Sequence, residues 1–262
     1  MIFVPNESSQ VKKVLISILF CFMVLQLFAQ KQKVNHMTTF DDKLIHFGFT
    51  LGLNTLDFAV EHYNPIGSNI EFNETDWPYD YPIGDDFVRT DVSQLIPGFT
   101  VGIISSLRLT KDLDLRFLPG LSFGERHLYY NREVIDDSYT LHQPYFYSIK
   151  STFLDFPLLF KYKARRINND RPYIVFGPAY RHNINRTGRE DLVKLKNGSF
   201  YAEIGAGWDH YFTFFRFSIE AKMSLGLNNQ RDVPPSPNQR QYYSHAIKSL
   251  RSNIFTLSFN FE

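Results

Sequence analysis

The chain has 262 residues, a formal net charge of +1 and a single cysteine. This charge balance gives no electrostatic footprint for a nucleic-acid partner, and one thiol excludes a disulfide framework. Phenylalanine (26) and tyrosine (15) are abundant, which suits a strand-rich chain with much apolar surface to place.

Lys12-Lys13 precedes the apolar run "VLISILFCFMVLQLF" (14–28), followed by Ala29-Gln30. A basic start, a short apolar core and a small residue at the cut describe a secretory signal peptide, with cleavage expected after Ala29. The run is shorter than the roughly 20 apolar residues that a spanning helix needs. Val11 is an alternative start. Cys21 lies inside the signal, so the mature chain is expected to have no thiol, no disulfide and no cysteine-held metal. Residues 30–45 read as a polar tail.

Alternating segments then recur to residue 262. "HFGFTLGLN" (46–54) places Phe47, Phe49, Leu51 and Leu53 opposite His46, Gly48, Thr50, Gly52 and Asn54. "GFTVGIISSLRL" (98–109) lines up Phe99, Val101, Ile103, Leu107 and Leu109. "DLDLRFLPGLSFG" (112–124) alternates Leu113, Leu115, Phe117, Leu121 and Phe123 with Asp112, Asp114, Arg116, Gly120 and Ser122. "STFLDFPLLFKYK" (151–163) sets Phe156, Leu158, Phe160 and Tyr162 against Asp155, Lys161 and Lys163. Pro157 within it fits only an edge, a bulge or a sheet end.

"RPYIVFGPAYR" (171–181) is apolar throughout and leaves its facing open. "FYAEIGAGWDH" (200–210) sets Phe200, Ala202, Ile204, Ala206 and Trp208 against Tyr201, Glu203, Gly205, Gly207 and Asp209. "FRFSIEAKMSLGLN" (215–228) sets Phe215, Phe217, Ile219, Ala221, Met223, Leu225 and Leu227 against Arg216, Ser218, Glu220, Lys222, Ser224, Gly226 and Asn228. "NIFTLSFNFE" (253–262) closes the series with Phe255, Leu257, Phe259 and Phe261 on one face.

Most of these strands exceed the about 5–6 residues usual in soluble sheets and match the about 9–11 that cross a bilayer. The spacers alternate long and short: 61–91, 110–111, 125–149, 164–170, 182–198, 211–213 and 229–252. The expectation is therefore an all-β, eight-stranded antiparallel transmembrane β-barrel over 46–262, in a bacterial outer membrane with both termini in the periplasm. The apolar faces meet lipid. Asp114, Arg116, Glu203, Arg216, Glu220 and Lys222 point inward as a mixed-charge plug, because Arg or Lys on the lipid face costs about 2–4 kcal/mol at the midplane. Inward glycines leave room for those long side chains. A soluble barrel would need the reverse arrangement, apolar inside and wet outside.

No catalytic or metal-ligand spacing is present. His127, His142, His182 and His245 fall in or beside separate outer loops and read as surface residues. The loop 61–87 holds Glu61, Glu71, Glu74, Asp76, Asp80, Asp85 and Asp86 without Lys or Arg. It reads either as a solvated loop or as a docking surface with Trp77, Tyr79 and Tyr81 as anchors. "DVPPSPNQR" (232–240) stiffens the last loop. No cofactor is expected. An enzyme acting on lipid at the outer rim remains a competing reading.

"FDDKLIHFGFTLGLNTLDF" (40–58), "DLRFLPGLSFGER" (114–126) and "FPLLFKYKARRINNDRPYIVFGPAYR" (156–181) resemble the PorT family of Bacteroidota. The resemblance implies an outer-membrane component of the type IX secretion system. That system exports cargo with C-terminal sorting domains and supports gliding in some species. It implies protein partners within that machine, outer-membrane lipid around the wall, and no active site to transfer. The alternative is a generic small outer-membrane barrel for ligand binding or membrane integrity.

Overall fold

The computed structural model describes residues 36–71, 87–130, 135–136, 139–140, 146–185, 193, 195–232 and 245–262. The expected signal peptide and the anchors Trp77, Tyr79 and Tyr81 lie outside these residues, as does His142.

The strands are β1 (Ile45–His62), β2 (Thr90–Leu95), β3 (Pro97–Arg108), β4 (Leu113–Phe117), β5 (Gly120–Tyr130), β6 (Ile135–Asp136), β7 (Tyr139–Thr140), β8 (Phe146–Lys163), β9 (Asp170–Asn183), β10 (Gly198–Tyr211), β11 (Arg216–Gly226) and β12 (Ile247–Phe261). β2 with β3, and β4 with β5, each form one interrupted staff of the wall. β6 and β7 make a separate two-stranded sheet. β1 pairs antiparallel with β3 on one side and with β12 on the other. The remaining staves pair in sequence order, so the sheet closes into an eight-membered ring through the β1–β3 ladder, with β2 paired to β5 above it.

The facing follows the alternation. On β11, Arg216, Ser218, Glu220, Lys222 and Ser224 are buried, while Ile219, Met223 and Leu225 are exposed on the outer wall. On β1, Phe47, Phe49, Leu51 and Leu53 point outward, and His46, Thr50 and Asn54 point inward. On β9, whose facing the sequence left open, Arg171, Tyr173, Val175, Ala179 and Arg181 are inside; Ile174 and Phe176 are outside.

The ladder is weakest around two prolines. The Leu118 N–H donates to the Pro157 carbonyl at 3.2 Å, and Ile103 N–H to the Pro119 carbonyl at 2.9 Å. Neither proline has an N–H to return. Pro157 therefore sits in mid-staff, opposite the break between β4 and β5.

The strands run further than the alternation suggests, and their polarity inverts on the way. From Ile45 to Leu53 the outer face of β1 is apolar. Beyond Asn54 the inner face turns apolar, with Leu56 and Phe58 buried, while Asp57 and Glu61 lie on the outer face. β12 does the same in reverse order: Lys248 and Arg251 are exposed and Ile247, Leu250 and Ile254 are buried. Leu128 and Tyr130 of β5 and Ile149 of β8 join this second core, with Ile66, Val88, Val193, Leu195 and Ala246 from the loop side. The lower half is thus a cylinder apolar outside and polar inside, and the upper half is built like a water-soluble protein. A lumen ionic along its whole length, as the alternation implied, is not what forms: the charged filling belongs to the lower half.

Candidate functional site: the barrel lumen and its mouth

The six lumen residues expected from the sequence are Asp114, Arg116, Glu203, Arg216, Glu220 and Lys222, and all are buried. Arg116 of β4 donates to Glu220 of β11 at 2.7 Å across the full width of the ring. Glu203 of β10 accepts from Arg181 at 2.6 Å and from Ser224 at 2.9 Å. Lys222 stands 3.6 Å from Glu203 and 3.7 Å from Glu220. Asp114 accepts from Lys163 at 2.7 Å. Arg216 donates to Glu262 at 2.6 Å. The expected six are joined by Asp155, Lys161, Lys163, Arg181, Asp209 and Glu262, all buried. Lys161 donates to both oxygens of Asp209 at 2.8 Å and lies 3.7 Å over the Tyr173 ring. Opposite charges held this close offset the cost of removing them from water.

Two glycines make the room. A Cβ on Gly207 would come within 2.4 Å of the Tyr173 ring, and one on Gly205 within 2.7 Å of the Lys222 stem. Tyr173 uses its space to donate from its hydroxyl to Glu220 at 2.8 Å. Both glycines were legible as inward positions on a strand otherwise lined by Tyr201, Glu203 and Asp209.

The lower mouth is closed by residues 36–44, which sequence reasoning treated as a tail. A short 3-10 turn, Phe40–Asp42, folds across the opening. Phe40 is buried and stacks on His46 with ring centroids 4.2 Å apart. Asp41 accepts from the Tyr211 hydroxyl at 2.8 Å and pairs with Arg171 at 3.2 Å and Arg216 at 3.7 Å. Arg108 donates to the Asp41 carbonyl at 2.6 Å. His36 N–H donates to Asn169 at 3.1 Å. The segment therefore straps the β8–β9 turn to the foot of β3. Burial pushes the Asp41 carboxyl up, but the Tyr211 hydrogen bond and the Arg171 and Arg216 guanidinium groups outweigh it, leaving the group below the ordinary aspartate value.

Above the charged column lies Arg126, fully buried, with its guanidinium carbon 3.9 Å from the Phe58 ring centroid and 5.8 Å from that of Phe153. Two aromatic faces replace a counter-ion there. It lies just past the stretch 112–124 in which alternation was legible.

The histidines do not converge. His127 and His182 sit within the upper ends of β5 and β9 rather than in loops. His245 is buried rather than on the surface. Among the described residues no group of three or more His, Cys, Asp or Glu side chains is placed to hold a metal ion.

Residues 28–231 match the family model described as outer membrane protein beta-barrel domain. Among solved structures, the chain is similar to Neisserial surface protein A at 8% identity and a TM-score of 0.41, over 83% of this chain and 98% of that one. It is also similar to OprG from Pseudomonas aeruginosa at 9% identity and a TM-score of 0.41, over 83% and 93%. Ail of Yersinia pestis aligns at 10% identity and a TM-score of 0.33, over 84% and 98%. No curated protein matches the chain.

Proposed function

The chain belongs to the outer membrane protein beta-barrel domain family, and on that premise we propose that it is a non-enzymatic accessory barrel of the type IX protein secretion system, acting by docking. The observation that carries this reading is the filled lumen. Paired charges occupy the lower half, an apolar core occupies the upper half, and the Phe40–Asp42 strap closes the lower mouth. A barrel so packed does not conduct cargo through itself. What it offers a partner is surface: its outer loops, its short turns and its wall.

The secretion assignment draws its support from the blocks at 40–58, 114–126 and 156–181, which resemble the PorT family. In this reading both termini and the strap lie on the periplasmic side, with the long connections outside. Deletion is expected to trap cargo bearing C-terminal sorting domains in the periplasm. Normal surface delivery of that cargo in the deletion strain sinks the proposal.

The upper half supports a second reading, a generic surface-binding barrel. Its polar outer wall and apolar interior form a folded head beyond the lipid belt, with loops to display. Unimpaired secretion together with loss of a surface-binding phenotype selects this reading instead.

A further inference from the structure

A cavity of about 30 Å³ lies in the lower lumen against the weakest part of the wall, where Leu118, Pro157 and the facing Gly102–Gly120 pair line it. That volume accommodates one or two water-sized particles. Its polar lining is unusual in sign. The Arg181 side chain is only 5% exposed, and its Nη1 has no hydrogen-bond partner in the protein. The Lys222 ammonium also lines the cavity, and its two ion pairs at 3.6 and 3.7 Å are longer than hydrogen bonds. The one carboxylate on the lining, Asp155, is already engaged: Oδ1 accepts from Arg181 Nε at 3.1 Å and Oδ2 from the Ser122 hydroxyl. Thr50 and Thr256 add hydroxyl donors. An unpaired Arg181 donor and a loosely paired Lys222 thus face a small space whose one lining carboxylate is already engaged.

From this geometry we infer that the cavity is a binding site for a small monovalent anion of halide size, held by Arg181 Nη1 and Lys222 Nζ. The anion bridges β9 and β11 to the wall where Pro119 and Pro157 interrupt the ladder. The consequence is thermodynamic: an ion bound by the folded barrel and not by the unfolded chain raises the unfolding midpoint, by an amount that grows logarithmically with ion concentration above its Kd.

The test uses the full barrel refolded in detergent in sodium chloride, sodium bromide or sodium gluconate at equal ionic strength. The expected result is a midpoint several degrees higher in chloride and bromide than in gluconate. Lys222→Met is expected to abolish that difference. If Lys222→Met does not fold, Thr256→Val, which removes one hydroxyl from the lining, is expected to reduce it. Crystals grown in bromide are expected to show an anomalous peak between Arg181 and Lys222. Equal midpoints in the three salts overturn the proposal, and so does a site holding water alone in bromide.

Discussion

Arg116 and Glu220 stand on diametrically opposed staves of the ring, and their side chains meet at 2.7 Å with neither exposed to solvent. The pair is a strut across the barrel. Removing one end leaves the other charged and buried. Glu220→Ala is expected to destabilise the barrel by about 3–5 kcal/mol. The double variant Arg116→Met with Glu220→Leu is expected to recover much of that loss. Urea titration in lipid vesicles measures both, and a double variant no more stable than Glu220→Ala contradicts the strut.

The polarity inversion predicts opposite tolerances at two heights of the wall, on the neighbouring staves β11 and β12. Ile219→Arg, on the outer face inside the apolar belt, is expected to cost about 2–4 kcal/mol. Arg251→Leu, on the outer face beyond the belt, is expected to change stability by less than about 0.5 kcal/mol. Heat-modified mobility in gels ranks the two. Equal sensitivity would place the lipid boundary elsewhere.

Asp41 makes strap docking acid-labile. Its carboxyl is held below the ordinary aspartate value in the folded protein. Depression of the folded value means the stabilisation is fully present above the unfolded value, about 3.9. It is lost as pH falls through the folded value. Protection of the Phe40–Lys43 amides, relative to their unstructured exchange rates, is therefore expected to be high at neutral pH and to fall as the pH drops below the ordinary aspartate value. Asp41→Asn is expected to give fast exchange at all pH values.

Gly207→Ala tests the packing of the column. The new methyl would collide with Tyr173, which is fixed by Glu220 and covered by Lys161. A loss of about 1–3 kcal/mol is expected. Adding Tyr173→Phe is expected to recover part of it, because that ring is no longer tied to Glu220. A melting series on the parent, the single variant and the double variant decides.

The ring and the lower lumen were legible because lipid outside and charge inside impose a period of two on single strands, as on 215–228. β9 resisted because the lower lumen is not uniformly polar. Val175 joins Ile104, Leu118, Leu159 and Tyr173 in an inner apolar patch, so its inner and outer faces look alike. The upper half was hidden for a different reason. Alternation continues past Asn54, but the phase swaps at the belt edge, so Leu56 and Phe58 sit on the face that Thr50 and Asn54 had marked as polar. Arg126 was obscured by the same swap. The strap carries no period at all; contacts from Arg108, Arg166, Arg171, Arg216, Tyr211 and His46, all distant in sequence or across the mouth, give "FDD" its place.

The hydrogen-bonded seam between β1 and β12 joins the first and the last strands of the described residues. A growing polypeptide can therefore pair one edge of β1 with β3 early, but the other edge waits until β12 emerges. Closure of the cylinder is therefore the last pairing to form, and until then one edge of the sheet stands open to whatever holds the chain.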